Sequence, residues 1–229
     1  MEKGTTTGII TDIRYLKKLF PPLRNKVDYH KLQIDAESAS YISTKYVAKQ
    51  ISQIIIFHLE KLYLSPKTLA ITDTCAGAGG NTLSFSRYFK QVFSIEMDDK
   101  RFGYLDNNIS LYQKNNILPI HGDCLNIIPN LAQNVVFFDP PWGGKDYKKQ
   151  SNIRLELSGI PLEAIIDRLI HDPLSSPELI IVKVPKNFDT HHFYNWLKSN
   201  RIYLYQLAKM DILVIENTGK IGENLQKLL

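Results

Sequence analysis

From residue 68 onward the chain alternates, at short and regular spacing, between strand-like and helix-like segments. This pattern constrains the fold more than anything else in the 229 residues. Residues 68–74 (TLAITDT) read as a buried strand, 81–89 as a helix, 91–97 (QVFSIEM) as a strand and 99–113 as a helix. Short strands follow at 118–121 and 134–139 (NVVFFD), then a helix at 161–171, a strand at 179–184 (LIIVKV) and a helix at 189–200. Two neighbouring strands, 202–207 and 211–216, close the series as an expected antiparallel pair. Alternation of this kind demands right-handed crossovers and a mostly parallel sheet of seven strands with helices on both faces, a Rossmann-like α/β fold. Upstream, apolar positions at Val47, Ile51, Ile54, Ile55, Leu59 and Leu62 have helical spacing over 45–62. Residues 1–40 are basic, weakly periodic and turn-rich around Phe20-Pro21-Pro22. The expected division is an N-terminal arm and helical extension over 1–64 and a core over 65–229.

In open parallel sheets the ligand lies at the carboxyl ends of the strands, so the loop after each strand carries the information. The first expected strand runs into Asp73-Thr74-Cys75-Ala76-Gly77-Ala78-Gly79-Gly80-Asn81. Glycines between strand and helix let backbone approach a ligand and aim the helix N-terminus at it. The Gly-Lys-Ser/Thr ending of a phosphate-binding loop is absent, and the spacing is not a clean G-x-G-x-x-G. The second strand ends at Glu96, nineteen positions past Gly77, where an acid accepts from a ribose diol in dinucleotide folds. After the third comes Gly122-Asp123-Cys124, where the carboxylate serves either an adenine amino group or the N-terminus of the next helix. Three such features in chain order point to an adenosine-containing ligand. With no lysine or arginine beside the glycines to hold a pyrophosphate, S-adenosylmethionine fits better than NAD.

The sharpest feature follows the fourth strand: Phe138-Asp139-Pro140-Pro141-Trp142-Gly143-Gly144-Lys145-Asp146-Tyr147. Two prolines fix φ and remove two backbone donors, leaving carbonyls as acceptors in a rigid loop. The aspartate adds a carboxylate, and the tryptophan a flat π-face. An exocyclic amine on a nucleobase needs this set, because its nitrogen lone pair is delocalised into the ring. Acceptors for the two N–H groups favour a pyramidal nitrogen whose lone pair is free to meet a methyl donor. Stacking fixes the plane for in-line transfer. Motifs of this type also serve adenine N6 and glutamine side-chain amides.

The extended string D-P-P-W-G-G-x-D-Y resembles the trimethylguanosine synthase family, which methylates guanine N2 of 7-methylated RNA caps. The glycine loop from Asp73 to Asn81, Glu96-Met97-Asp98, Asn107-Asn108, Gly122-Asp123, Leu32-Gln33-Ile34-Asp35, Tyr41-Ile42-Ser43-Thr44 and Val184-Pro185-Lys186-Asn187 are similar in type and order, over residues 30–216. The resemblance implies a class I S-adenosylmethionine-dependent methyltransferase fold. It further implies that Ser43, Asp73, Gly77, Asn81, Glu96 and Asp123 hold the cofactor, with Glu96 where the family more often has Asp. Asp139, at a position that is Asp or Ser in the family, and Pro140 would accept from the N2 amine, and Trp142 would stack on the base. A 7-methylguanine is cationic, which strengthens its attraction to an indole. Asn108 would contact the base edge, Tyr147 and Lys186 the cap phosphates, and Asn187 belongs to the same substrate loop. Lysine replaces the arginine usual at position 186, keeping the charge without bidentate geometry.

Charge agrees with an anionic partner without demanding one: the net charge is +5 and the pI about 9.0. Two cysteines without a C-x-x-C pair exclude a disulfide scaffold and a cysteine-built zinc site, and no metal is expected. The longest apolar run is interrupted by His58, Glu60 and Lys61, and no apolar signal core opens the chain. The expectation is a monomeric intracellular protein, nuclear or cytoplasmic and not secreted, acting on capped RNA without a membrane partner. The alternatives are another guanine-N2 or adenine-N6 nucleic-acid methyltransferase, or an inactive cap-binding module.

Overall fold

The computed structural model describes residues 8–226; the first seven residues of the expected arm and the last three of the expected core lie outside the described residues. Helix α1 (Ile13–Leu19) starts at Asp12, whose carboxylate accepts from the amides of Arg14 and Tyr15. Helix α2 (Ala36–Tyr41) is capped the same way by Asp35, and α3 (Lys45–Lys61) follows. The alternating part then runs β1 (Ala70–Asp73), α4 (Gly80–Phe85), β2 (Gln91–Glu96), α5 (Asp99–Tyr112), β3 (Ile117–His121), α6 (Cys124–Ile127) and β4 (Val135–Phe138). A small hairpin, β5 (Glu156–Leu157) and β6 (Ile160–Pro161), precedes α7 (Leu162–His171). The chain ends with β7 (Leu179–Val184), α8 (Thr190–Trp196), β8 (Arg201–Gln206), β9 (Asp211–Glu216) and α9 (Thr218–Gln226).

Seven strands form one sheet in the order β3-β2-β1-β4-β7-β9-β8. The pairs β1–β2, β2–β3, β1–β4 and β4–β7 are parallel, and only β9 runs against its neighbours β7 and β8. This is the Rossmann-like α/β fold expected from the alternation. The outermost strands β3 and β8 are partly exposed, whereas every residue of β4, β7 and β9 is buried, as a strand covered on both faces requires. Alternate residues feed two cores. Ile71, Phe137, Ile181 and Val214 face one that includes α3, α4 and α5, while Val136, Phe138, Ile180, Val182 and Leu213 face the other, with α7 and α8. Leu16, Leu19, Phe20, Leu23 and Ile34 belong to the first core.

Some boundaries move for local reasons. Pro66–Thr68 forms a 3-10 turn, so the first strand starts at Ala70 rather than 68. The hairpin was not expected: Ser158 (φ 49°) and Gly159 (φ 75°) form a two-residue turn with both residues left-handed, and Ser-Gly between Leu157 and Ile160 is its signal. The order reverses between β1 and β4, and the crevice at their carboxyl ends is where an open parallel sheet takes a ligand. No described helix is long and apolar enough to cross a membrane.

Candidate active site

The turn after β1 is built by glycine. Gly77 (φ 55°) and Gly79 (φ 97°) are left-handed, and Gly79 caps α4. Gly80 is required for closeness instead: a Cβ there would lie 2.6 Å from Ile42 Cγ1 and 2.7 Å from the Ser43 carbonyl oxygen. That contact brings Ser43 against the turn. Below it, the Thr82 hydroxyl donates to Asp73 Oδ2 (2.7 Å) and the Ser94 hydroxyl donates to Thr82 (3.0 Å).

Among the described residues, five buried side-chain polar atoms have no hydrogen-bond partner: Ser43 Oγ, Asp73 Oδ1, Asn81 Oδ1, Trp142 Nε1 and Ser175 Oγ. Three of them border the glycine turn. Buried polar atoms are ordinarily bonded, so this cluster marks a candidate ligand site. Burial pushes the Asp73 carboxyl up to about 7, and the charges of Asp139 and Glu96 add to the effect. A cation beside Oδ1 would reverse that. The residues therefore fit S-adenosylmethionine, which carries an ammonium and a sulfonium and no phosphate.

Glu96 stands at the end of β2, where its Oε2 accepts from the Gly77 amide (2.8 Å) and its Oε1 from the Asp98 amide (2.9 Å) and Arg101 Nε (3.3 Å). Oε1 has both lone-pair directions used, and Oε2 keeps one further direction for a ribose hydroxyl. Asp123 is the N-cap of α6: Oδ1 accepts from the Leu125 amide (2.9 Å) and Oδ2 from the Ser158 hydroxyl (2.8 Å). Of the two uses open to it from sequence, the helix cap is the one these bonds serve.

Parallel pairing sets Asp73 beside Phe137, so the ends of β1 and β4 share one edge. Past β4, Asp139 is 15% exposed and its Oδ2 accepts from Lys183 Nζ at 2.7 Å. Trp142 is half-buried; Lys183 Nζ stands 5.4 Å from its ring centroid and the Tyr147 ring meets it edge-on at 5.3 Å. Asn187 holds this loop, its amide donating to the carbonyls of Tyr147 (2.7 Å) and Gln150 (2.6 Å). Lys186 donates to Asp211 Oδ1, so a phosphate would compete with a carboxylate for it. Asn108 stands apart from this group. It is fully buried, its Nδ2 donates to the carbonyls of Gln33 (2.9 Å) and Ala78 (3.0 Å), and its Oδ1 accepts from the Gln33 amide (2.9 Å). These bonds tie the N-terminal segment to the glycine turn.

Sequence reasoning missed Lys183, Thr82 and Arg101. Only Lys183 left a signal, as the single charge within LIIVKV. Among the described residues no group of three or more His, Cys, Asp or Glu is arranged to hold a metal.

A family model described as RNA cap guanine-N2 methyltransferase matches residues 68–224. An uncharacterized protein of Acanthamoeba polyphaga mimivirus is 35% identical over 225 residues, covering 90% of this chain and 87% of that one. The trimethylguanosine synthase of Schizosaccharomyces pombe is 29% identical over 121 residues, covering 50% of this chain and 47% of that protein, so this chain aligns with about half of the yeast enzyme. Among solved structures, precorrin-6y C5,15-methyltransferase from Geobacter metallireducens superposes with a TM-score of 0.54 at 15% identity, over 77% of this chain and 89% of that one. The shared fold is that of the class I methyltransferases.

Proposed function

The chain belongs to the RNA cap guanine-N2 methyltransferase family and is an S-adenosylmethionine-dependent methyltransferase, and from that premise we propose that it methylates the exocyclic N2 of 7-methylguanosine in RNA caps, giving di- or trimethylguanosine. The observation that carries the proposal is the pairing, on one edge of the sheet, of the Ser43–Asp73–Asn81 shell with the Asp139–Trp142 loop. The first set suits a cationic, phosphate-free cofactor and the second a flat base bearing an amine.

Bound S-adenosylmethionine supplies a methyl group made electrophilic by the sulfonium. The chain's own residues do the rest. Ser43, Asp73 and Asn81 hold the cofactor, and Gly77 and Glu96 line its ribose side. The Asp139 carboxylate and Pro140 carbonyl accept the N2 hydrogens and free the nitrogen lone pair. The indole of Trp142 stacks on the cationic ring, so a base lacking the N7 methyl loses the cation–π part of the attraction. Tyr147 braces the indole, and Lys186 exchanges its carboxylate for cap phosphate. After transfer the methylated nitrogen is strongly acidic and its proton leaves to solvent, so Asp139 orients the amine rather than abstracting a proton.

The test uses a Trp196→Phe background, which leaves Trp142 as the only indole. The emission should be quenched by 7-methyl-GTP and not by GTP, and mass analysis should find methyl added to 7-methyl-GTP alone. Trp142→Ala should remove most of that activity with cofactor affinity nearly intact. Equal quenching by both nucleotides, or loss of cofactor binding in Trp142→Ala, would overturn the cap reading.

A further inference from the structure

Lys183 is the cation that the motif does not contain. It lies in a strand whose six residues are all buried, and its side chain is only 4% exposed. An ammonium persists there only with close partners, because an unpaired buried charge is costly. Among the contacts the structure gives it are Asp139 Oδ2 at 2.7 Å and the Trp142 ring, with 5.4 Å to the centroid. One is the carboxylate assigned to the reacting amine, the other the stacking surface. Parallel pairing of Phe138 with Val182 makes this meeting obligatory, since the next residues in register are Asp139 and Lys183.

Resting on the cap-methylation reading, we propose that Lys183 is a positioning residue for methyl transfer: its ammonium pins one oxygen of Asp139, leaving the other to accept from the exocyclic amine, and fixes the indole beside it. No bond to Lys183 forms or breaks.

The charge logic follows from the groups around Asp139. Burial pushes its carboxyl up and Lys183 offsets only part of that rise, while Asp73 and the Cys75 thiol are the other titratable groups in its field. Without Lys183 the buried carboxyl takes up a proton. A protonated acid has one acceptor fewer and offers a donor toward an amine that itself only donates.

Two variants test this, Lys183→Met and Lys183→Arg, with the double variant Lys183→Met/Asp139→Asn as control. The first readout needs no substrate: the infrared spectrum at neutral pH. Against the wild-type spectrum, in which Asp73 already contributes a protonated-carboxyl band, an additional band should appear in Lys183→Met and vanish in the double variant. The second is the pH profile of methyl transfer to 7-methyl-GTP. In Lys183→Met, kcat should fall about a hundredfold at neutral pH and recover as the pH rises, with the KM for S-adenosylmethionine nearly unchanged. Lys183→Arg should restore most of kcat. Should Lys183→Met not fold, Lys183→Gln, which keeps a donor without the charge, carries both readouts. No band beyond that of the wild type, or a profile parallel to the wild type, overturns the assignment. A wild-type enzyme that ignores 7-methyl-GTP sinks the cap reading alone, because the infrared result stands apart from the substrate.

Discussion

Asp73 shows how a single residue trades stability for binding. Its carboxyl is pushed from 3.8 in a free chain to about 7 in the fold, chiefly by burial. A raised carboxylate favours the folded state while protonated. Its contribution is therefore fully present below pH 3.8 and lost as the pH climbs through 7, a cost on the order of 4 kcal/mol above that point. Asp73→Asn should thus raise Tm by roughly 8–16 °C at pH 8, with the gain shrinking toward pH 4, and should abolish binding of S-adenosylhomocysteine in calorimetry. A lower Tm at pH 8 would mean that the ionised carboxylate is already compensated in the free protein. Asp73, Asn81, Asp139 and Trp142 could be singled out in the sequence because the segments after strands in this kind of sheet have few other tasks, whereas Ser43, between α2 and α3, came only from the family resemblance. Lys183 was not, since its pairing with Asp139 spans 44 residues and depends on register between two strands. The sequence position of Asn108 likewise does not reveal that its amide is spent on Gln33 and Ala78.

Between elements, the decisive contact is the one made by the missing Cβ of Gly80. The Ser43 carbonyl, 2.7 Å from where that atom would sit, is backbone and cannot rotate away. Gly80→Ala should therefore shift Ile42 and Ser43 from the turn, lower stability by about 1–3 kcal/mol, and weaken cofactor affinity. Gly103, inside α5, is the control: a Cβ there meets nothing within 4 Å, so Gly103→Ala should stabilise by about 0.5–1 kcal/mol through helix propensity. Urea unfolding of the two variants checks both signs, and a harmless Gly80→Ala would mean that the α2–α3 connection yields freely. Every strand of the seven-stranded sheet was legible, because burial on both faces writes apolar runs and one-sided burial writes alternation. Helix ends were less so. The helix expected over 189–200 stops at Trp196, and that over 81–89 stops at Phe85, both passing into turns that leave the apolar pattern intact. The arm was legible only as basic and turn-rich, since α1 and α2 are too short to show a period.

At the scale of the whole molecule, the extension supplies part of the wall of the first core. Leu16, Leu19, Phe20, Leu23 and Ile34 are buried in the same cluster as Leu105 and Ile109 of α5, and Ile51, Ile55 and Leu59 of α3 join them. Polar ties run alongside. Tyr112 and Tyr29 donate to the Pro21 carbonyl (2.6 and 3.1 Å), and Lys100 pairs with Asp35 at 2.6 Å. Burial alone would raise the Asp35 carboxyl, but Lys100 and the Ser38 amide outweigh it and hold it at about 2. A depressed carboxylate of this kind stabilises the fold above pH 3.8 and loses its contribution as the pH falls toward 2. On the far side of α3, His58 bonds Glu216 and Tyr205, both at 2.8 Å, joining that helix to β9 and β8. Eight buried apolar side chains at about 1.5 kcal/mol each amount to on the order of 10 kcal/mol, as large as the whole net stability of an ordinary domain. A fragment of residues 65–229, although it holds every strand of the sheet, should therefore not fold alone. Its amide spectrum should be undispersed, whereas the full chain should unfold in one calorimetric transition that S-adenosylhomocysteine moves upward as a unit. A fragment that gives dispersed amides and binds the cofactor product would make the extension a removable cover, and the covering of α4 and α5 would then have to come from within the remaining chain.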